Sequence, residues 1–208
     1  MKNIKAVATA VYMGIAAVGL AVSSAHAIVT EEDLYTSGDQ LITLDTDGGF
    51  EWLDMGETLG RTFYDVSSEF GLGGDFEGWR YATGPEVIKF WMHIGILDVD
   101  TAYSEANYGP VLDLMELVDC CGSGQTFIYA MTGDIASSTE VYALWVQYNV
   151  GAFDPPRARA RTGAVTLKSS RAPSWLVRDA ASIPEPATLA IFAIGLAGMG
   201  AMRKKRLW

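Results

Sequence analysis

Cysteine and histidine are almost missing from this 208-residue chain, two of each. Cys120 and Cys121 are adjacent, so no long-range disulfide can staple the fold through them. A vicinal ring, a link to another chain or two free thiols remain open. His26 falls inside an N-terminal leader, which leaves His93 alone. A zinc site or a Ser-His-Asp triad would have to use it, and it lies in an apolar helical pattern that suits a packed helix residue. The chain shows no metal motif and no signature that calls for a cofactor. Positive charge is also scarce: from Ile28 to Asp154 there are 23 acids and three bases, Arg61, Arg80 and Lys89. Such an acidic body excludes nucleic acid as a partner, because phosphate backbones select dense cationic surfaces.

Both ends carry long stretches without charge. Lys2 and Lys5 precede the uncharged run Ala6 to Val22, and Ser24-Ala25-His26-Ala27 follows with small residues at alternate positions. This order is that of a secretory signal, with Ala25 and Ala27 accepted by signal peptidase and cleavage after Ala27. At the other end, Ala187 to Met202 is uncharged over sixteen residues. As a helix it spans about 24 Å, short of the roughly 30 Å hydrocarbon core of a bilayer. Arg203, Lys204, Lys205 and Arg206 follow at once. Their long side chains snorkel, extend the span and favour the cytoplasmic side. Pro184-Glu185-Pro186 precedes the segment and keeps the backbone extended there. The expectation is one marginal C-terminal transmembrane helix that holds the chain in the inner membrane transiently.

Three features in that order resemble the PEP-CTERM sorting signal of Gram-negative bacteria. Pro184, Glu185 and Pro186 match its motif, Ala187 to Met202 its membrane segment, and Arg203 to Arg206 its basic end. The resemblance implies that an exosortase acts on the tail and passes the protein to the cell surface or beyond. It further implies a setting of exopolysaccharide and biofilm. The organisation expected is a signal peptide over 1–27, a secreted domain over 28–182 and a sorting signal over 183–208.

The secreted segment has the length and apolar content of one packed domain. Leu41 to Leu44 and Phe50 to Leu53 are β-prone runs around Asp45-Thr-Asp-Gly-Gly49, a hairpin signal. Asp45 and Asp47 could also serve calcium, but the remainder of such a loop is missing. Thr62 with Asp65, and Thr83 with Glu86, form capping pairs that open helices. The first of these runs to Gly71. Val87, Phe90, Trp91 and Ile94 then make one apolar helix face. Another helix starts at Pro110 and buries Val111, Leu114, Met115 and Val118. Strands follow over Thr126 to Met131, Val141 to Val150, Gly163 to Lys168 and Trp175 to Val177. A hairpin first, helices in the middle and strands last predict a single compact α+β ectodomain.

The order of "LDTDGGFEWLD", "GWRYATGPEV" and "SWLVRDA" resembles the Lcl-like (DUF1566) domain family of bacterial surfaces. Asp47, Gly49 and Trp52 match its first motif; Trp79, Arg80, Thr83, Glu86 and Val87 its second; Val177-Arg178 its third. Tyr81-Ala82 departs from its Leu-Pro, and the last motif lacks a frequent cysteine. This resemblance implies a C-type-lectin-related fold and adhesion or polysaccharide contact.

The function expected is therefore that of a non-catalytic surface or matrix protein associated with exopolysaccharide by carbohydrate binding. Aromatic rings stacking on sugar C–H surfaces would supply that contact, with Tyr103, Tyr108 and Trp175 as exposed candidates and Tyr108 and Trp175 chosen. Arg157, Arg159 and Arg161 either offset the acidic body or grip an anionic chain. The alternatives are a secreted glycan-acting hydrolase, for which carboxylates are abundant but form no visible constellation, and a purely structural matrix protein.

Overall fold

A computed structural model describes residues 29–100, 102–119, 126–149, 151, 155 and 157–181. Its elements in chain order are β1 (Val29–Glu32), β2 (Ile42–Asp45), β3 (Phe50–Leu53), a 3-10 turn (Met55–Thr58), α1 (Phe63–Ser68), β4 (Arg80–Tyr81), α2 (Gly84–Ile94), α3 (Tyr108–Leu117), β5 (Phe127–Ile135), β6 (Glu140–Asn149), β7 (Arg157–Thr166) and β8 (Leu176–Asp179). They form an α+β fold with two sheets, one of order β1-β2-β3-β8-β4 and one of order β5-β6-β7. The last strand inserts between β3 and β4, so the two ends of the domain share one sheet.

Local chemistry accounts for the early elements. At the β2–β3 turn Gly49 has φ +73°, and its N–H donates to the Asp45 carbonyl at 2.9 Å. Asp45 Oδ1 accepts the Gly48 N–H, a side-chain substitute for a turn bond. Both expected capping boxes are formed, Thr62 with Asp65 and Thr83 with Glu86. Pro85 stands in the first turn of α2, where its missing N–H costs nothing. Gly95, at φ +102°, ends α2 in the left-handed conformation. Helix α1 stops at Ser68, before the expected Gly71. Helix α3 begins two residues before the expected Pro110, which its first turn tolerates.

Aromatic packing joins the layers. Trp52 of β3 stacks on Phe90 of α2 with ring centroids 4.5 Å apart, and Trp175 meets the edges or faces of Trp52, Phe90 and Trp91 at 6.0–6.4 Å. Val87, Leu114, Ile128, Leu144, Val146, Ala158 and Ala160 complete this core. Helices α2 and α3 thus pack against the inner face of the three-stranded sheet. The two sheets are also tied through backbone: Met131 N–H donates to the Pro173 carbonyl and Trp175 N–H to the Met131 carbonyl. Gly133 N–H donates to the Ala82 carbonyl at 2.8 Å. A Cβ on Gly133 would stand 3.0 Å from the Tyr81 Cβ, so this crossing is tight and a side chain there would have to displace Tyr81.

Two further sequence expectations need correction here. Trp175 is 3 % exposed and sits in the centre of the aromatic core, so no sugar ring can stack on it. Strand β7 starts at Arg157, six residues before the expected Gly163. The expected leader (1–27) and membrane segment (Ala187–Met202) lie outside the described residues. Among the described residues, no helix is long and apolar enough to cross a membrane.

Candidate functional site

The pairing of β5, β6 and β7 decides which side chains share a face. Phe127 is paired with Gln147 and Gln147 with Arg159; Tyr129 with Trp145 and Trp145 with Arg161; Ala143 with Gly163. Partners across a sheet point the same way, and successive residues alternate. The alternate set, Ile128, Ala130, Leu144, Val146, Ala158 and Ala160, is buried in the core. The outer face therefore presents Phe127, Tyr129, Trp145, Gln147, Arg159 and Arg161 together.

These side chains are ordered by one another. Phe127 and Tyr129 lie nearly parallel, with ring centroids 6.2 Å apart. The Arg159 guanidinium lies 4.9 Å from the Trp145 ring centroid and 4.5 Å from that of Tyr103. Its Nη2 donates to Gln147 Oε1 at 3.0 Å. Arg161 approaches the Trp145 ring at 5.6 Å and is exposed to solvent. Phe127 is 43 % exposed. Small residues at Ala143, Gly163 and Ala164 leave a groove of about 260 Å³ beside Phe127, Tyr129 and Trp145. A second groove of about 540 Å³ shares Phe127 and Tyr129 and continues to Leu59, Ser170, Arg171 and Pro173. The site is shallow and open, with rings for stacking and planar polar groups beside them.

Its electrostatics differ from the rest of the domain. Arg61, Arg80 and Arg178 each pair with a carboxylate, those of Asp75, Glu86 and Glu51. Among the described residues, no carboxylate pairs with Arg159, Arg161 or Arg171. Three cations of an acidic protein thus stand beside an aromatic groove without an acidic partner.

Other residues singled out from the sequence occupy different places. Tyr108, the first residue of α3, is half-buried against the core and meets the Tyr148 ring at 6.1 Å edge to face. Tyr103 lies beneath Arg159, at the margin of the outer face. His93 Nδ1 lies 2.8 Å from Asp45 Oδ1, so the lone histidine of the domain braces the β2–β3 turn from α2. Asp45 is 1 % exposed and committed to that contact and to Gly48. Among the described residues, no three His, Cys, Asp or Glu side chains gather where they could hold a metal ion. The Asp54 carboxyl is pushed up to about 7 by burial, with Asp119, Glu31 and Glu57 adding to the effect. Asp54 lies beneath the surface and lines neither groove. Cys120, Cys121, Ala25, Ala27, Pro184, Glu185, Pro186, Arg203, Lys204, Lys205 and Arg206 lie outside the described residues.

Phe127, Tyr129 and Trp145 were missed as site residues. Part of their signal was present in "TFIYAM", where Phe127 and Tyr129 alternate with Ile128 and Ala130, and in "YALWVQY", a strand run that carries Trp145. The choice between the two faces of such a strand depends on what covers them, which only the packing of α2 and α3 decides.

Comparison with known proteins bears on the C-terminus. A family model for the PEP-CTERM protein-sorting motif matches residues 182–206, a span that includes Pro184-Glu185-Pro186, the uncharged segment and Arg203 to Arg206. No curated protein and no solved structure matches the chain. The Lcl-like resemblance of residues 47–178 finds no support in these comparisons. The chain carries a PEP-CTERM protein-sorting motif at residues 182–206, which marks it as an exported protein sorted by an exosortase.

Proposed function

We propose that this exosortase substrate is a non-catalytic surface or matrix protein that contacts exopolysaccharide through the outer face of β5–β7. In this reading signal peptidase removes residues 1–27 and the C-terminal segment holds the chain in the inner membrane until it is sorted. The secreted domain over 28–182 then meets polysaccharide outside the inner membrane. The observation that carries the reading is the exposed Phe127 with the half-buried Tyr129 and Trp145 on one sheet face beside Gln147, Arg159 and Arg161. Stacking rings and planar hydrogen-bonding groups are what a sugar surface requires, with C–H faces over the rings and hydroxyls to the polar groups. A shallow open groove accommodates a polymer that continues past the protein at both ends. The carboxyl with the largest upward shift, Asp54, is buried away from the grooves, which favours contact over hydrolysis.

Retention of the mature protein on insoluble exopolysaccharide from its host tests this. The wild type is retained and the polymer keeps its length over prolonged incubation, whereas Trp145→Ala and Tyr129→Ala reduce retention severalfold with unchanged circular dichroism. New reducing ends that disappear when one carboxylate is replaced would establish the hydrolase instead. Neither retention nor cleavage would leave a purely structural role.

A further inference from the structure

We infer that the polymer bound at this face is a carboxylate-bearing polysaccharide, held along the line of Trp145, Tyr129 and Phe127 between Arg161 and Arg171. The inference rests on the proposed glycan-contact reading and names the ligand class of that same site.

Charge is the first ground. In a domain rich in acids, the arginines of the five-stranded sheet and its neighbouring helices find carboxylates: Arg80 meets Glu86 at 2.7 Å and Arg178 meets Glu51 at 2.6 Å. The arginines at the grooves do not. Arg161 and Arg171 are exposed and, among the described residues, have no acidic partner. The Arg159 guanidinium lies over the rings of both Trp145 and Tyr103 and donates to Gln147. A guanidinium with these three contacts is restricted before a ligand arrives and keeps N–H donors for a planar acceptor. A carboxylate offers that planar, two-oxygen acceptor.

Layout is the second ground. The grooves of about 260 and 540 Å³ share Phe127 and Tyr129 and so adjoin each other. Arg161 lies beside Trp145 at one end, and Arg171 lines the other groove. Rings between two cations match a chain of sugars in which apolar ring faces alternate with charged substituents. A neutral polymer would offer the guanidiniums only single hydroxyl acceptors and no charge, and a nucleic acid strand would meet the repulsion of the acidic body.

The test is binding of full-length protein in detergent micelles to three immobilised polymers: polygalacturonate, the same polymer with its carboxyl groups reduced to alcohols, and oligo(dT). The inference expects polygalacturonate to bind at least about tenfold more tightly than the reduced polymer, with affinity falling steeply as salt rises. Arg161→Gln with Arg171→Gln removes that preference: binding to polygalacturonate falls to the level of the reduced polymer, with circular dichroism unchanged. Trp145→Ala weakens binding to both sugars. Equal binding to both sugar polymers overturns the inference and leaves the glycan-contact reading standing. Oligo(dT) bound as tightly as polygalacturonate overturns it in favour of a general polyanion surface. No binding to either sugar overturns it together with retention on polygalacturonate, and retention on the host's own polymer then decides the underlying reading separately.

Discussion

Arg80 on β4 and Glu86 on α2 form a two-point contact, with guanidinium nitrogens 2.7 and 2.9 Å from the two carboxylate oxygens. Glu86 also accepts the Thr83 N–H at 2.8 Å, so one carboxylate closes the capping box and fastens the helix to the sheet. The Arg80 hydrogen bond, with Thr83, holds the Glu86 carboxyl down to about 2, against an ordinary value of 4.5. A carboxyl lowered by folding contributes stability that is present above its unfolded value and lost as pH falls through the folded one. Stability should decline between about pH 4.5 and 2, and Glu86→Gln should flatten that decline. Thr83→Ala should cost about 1 kcal/mol through the lost cap. Urea titrations across this pH range measure both, and an unchanged slope in Glu86→Gln would contradict the contact.

Asp54 has the opposite sign. Its carboxyl is pushed up to about 7, first by burial and then by neighbouring carboxylates. Among the described residues, its Oδ1 has no hydrogen-bond partner. The protonated form suits the folded state, so this contribution is complete below the unfolded value near 3.9 and is lost as pH rises through about 7. Asp54→Asn should raise the melting temperature at pH 8 by a few degrees and leave it nearly unchanged at pH 4. Melting curves for the two proteins at both pH values decide; parallel pH dependence would rule out Asp54 as the source.

Two tryptophans should separate core from site. Trp175→Ala removes a ring enclosed by Trp52, Phe90 and Trp91 and should cost about 3–5 kcal/mol, a large share of a domain's stability. Trp145→Ala, on the outer face, should cost about 1 kcal/mol or less. Denaturant unfolding reads both, and equal losses would place Trp145 in the core as well.

Processing follows from the sorting motif at residues 182–206. Surface-extracted protein should lack residues before Ile28 and the tail beyond the Pro184-Glu185-Pro186 region. Intact-mass measurement checks both ends, and surface protein that retains Trp208 would contradict sorting in favour of a plain anchor.

Much of the fold was legible in the sequence where a local rule applied. Thr62–Asp65, Thr83–Glu86 and the Asp45–Gly49 turn follow from hydrogen bonds within a few residues. Val87, Phe90 and Trp91 follow from helical spacing, and all three are fully buried. Strand β1 was missed because Val29-Thr-Glu-Glu32 is exposed at a sheet edge and shows no apolar alternation. The start of β7 was hidden by its arginines: Ala158 and Ala160 face the core, but small residues between cations carry little hydrophobic signal. The site was the least legible part. Trp175 and Trp145 have equal claims as rings in expected strands, and only packing against α2 and Trp52 buries the first while the second stays half-buried.

The most direct test of the glycan-contact face is hydrogen–deuterium exchange of the mature protein with and without its host's exopolysaccharide. Protection is predicted over the strand segments that carry Phe127, Tyr129, Trp145, Gln147, Arg159 and Arg161, with β1 and β2 unchanged. Protection confined to the five-stranded sheet, or no change anywhere at saturating polymer, would contradict the account.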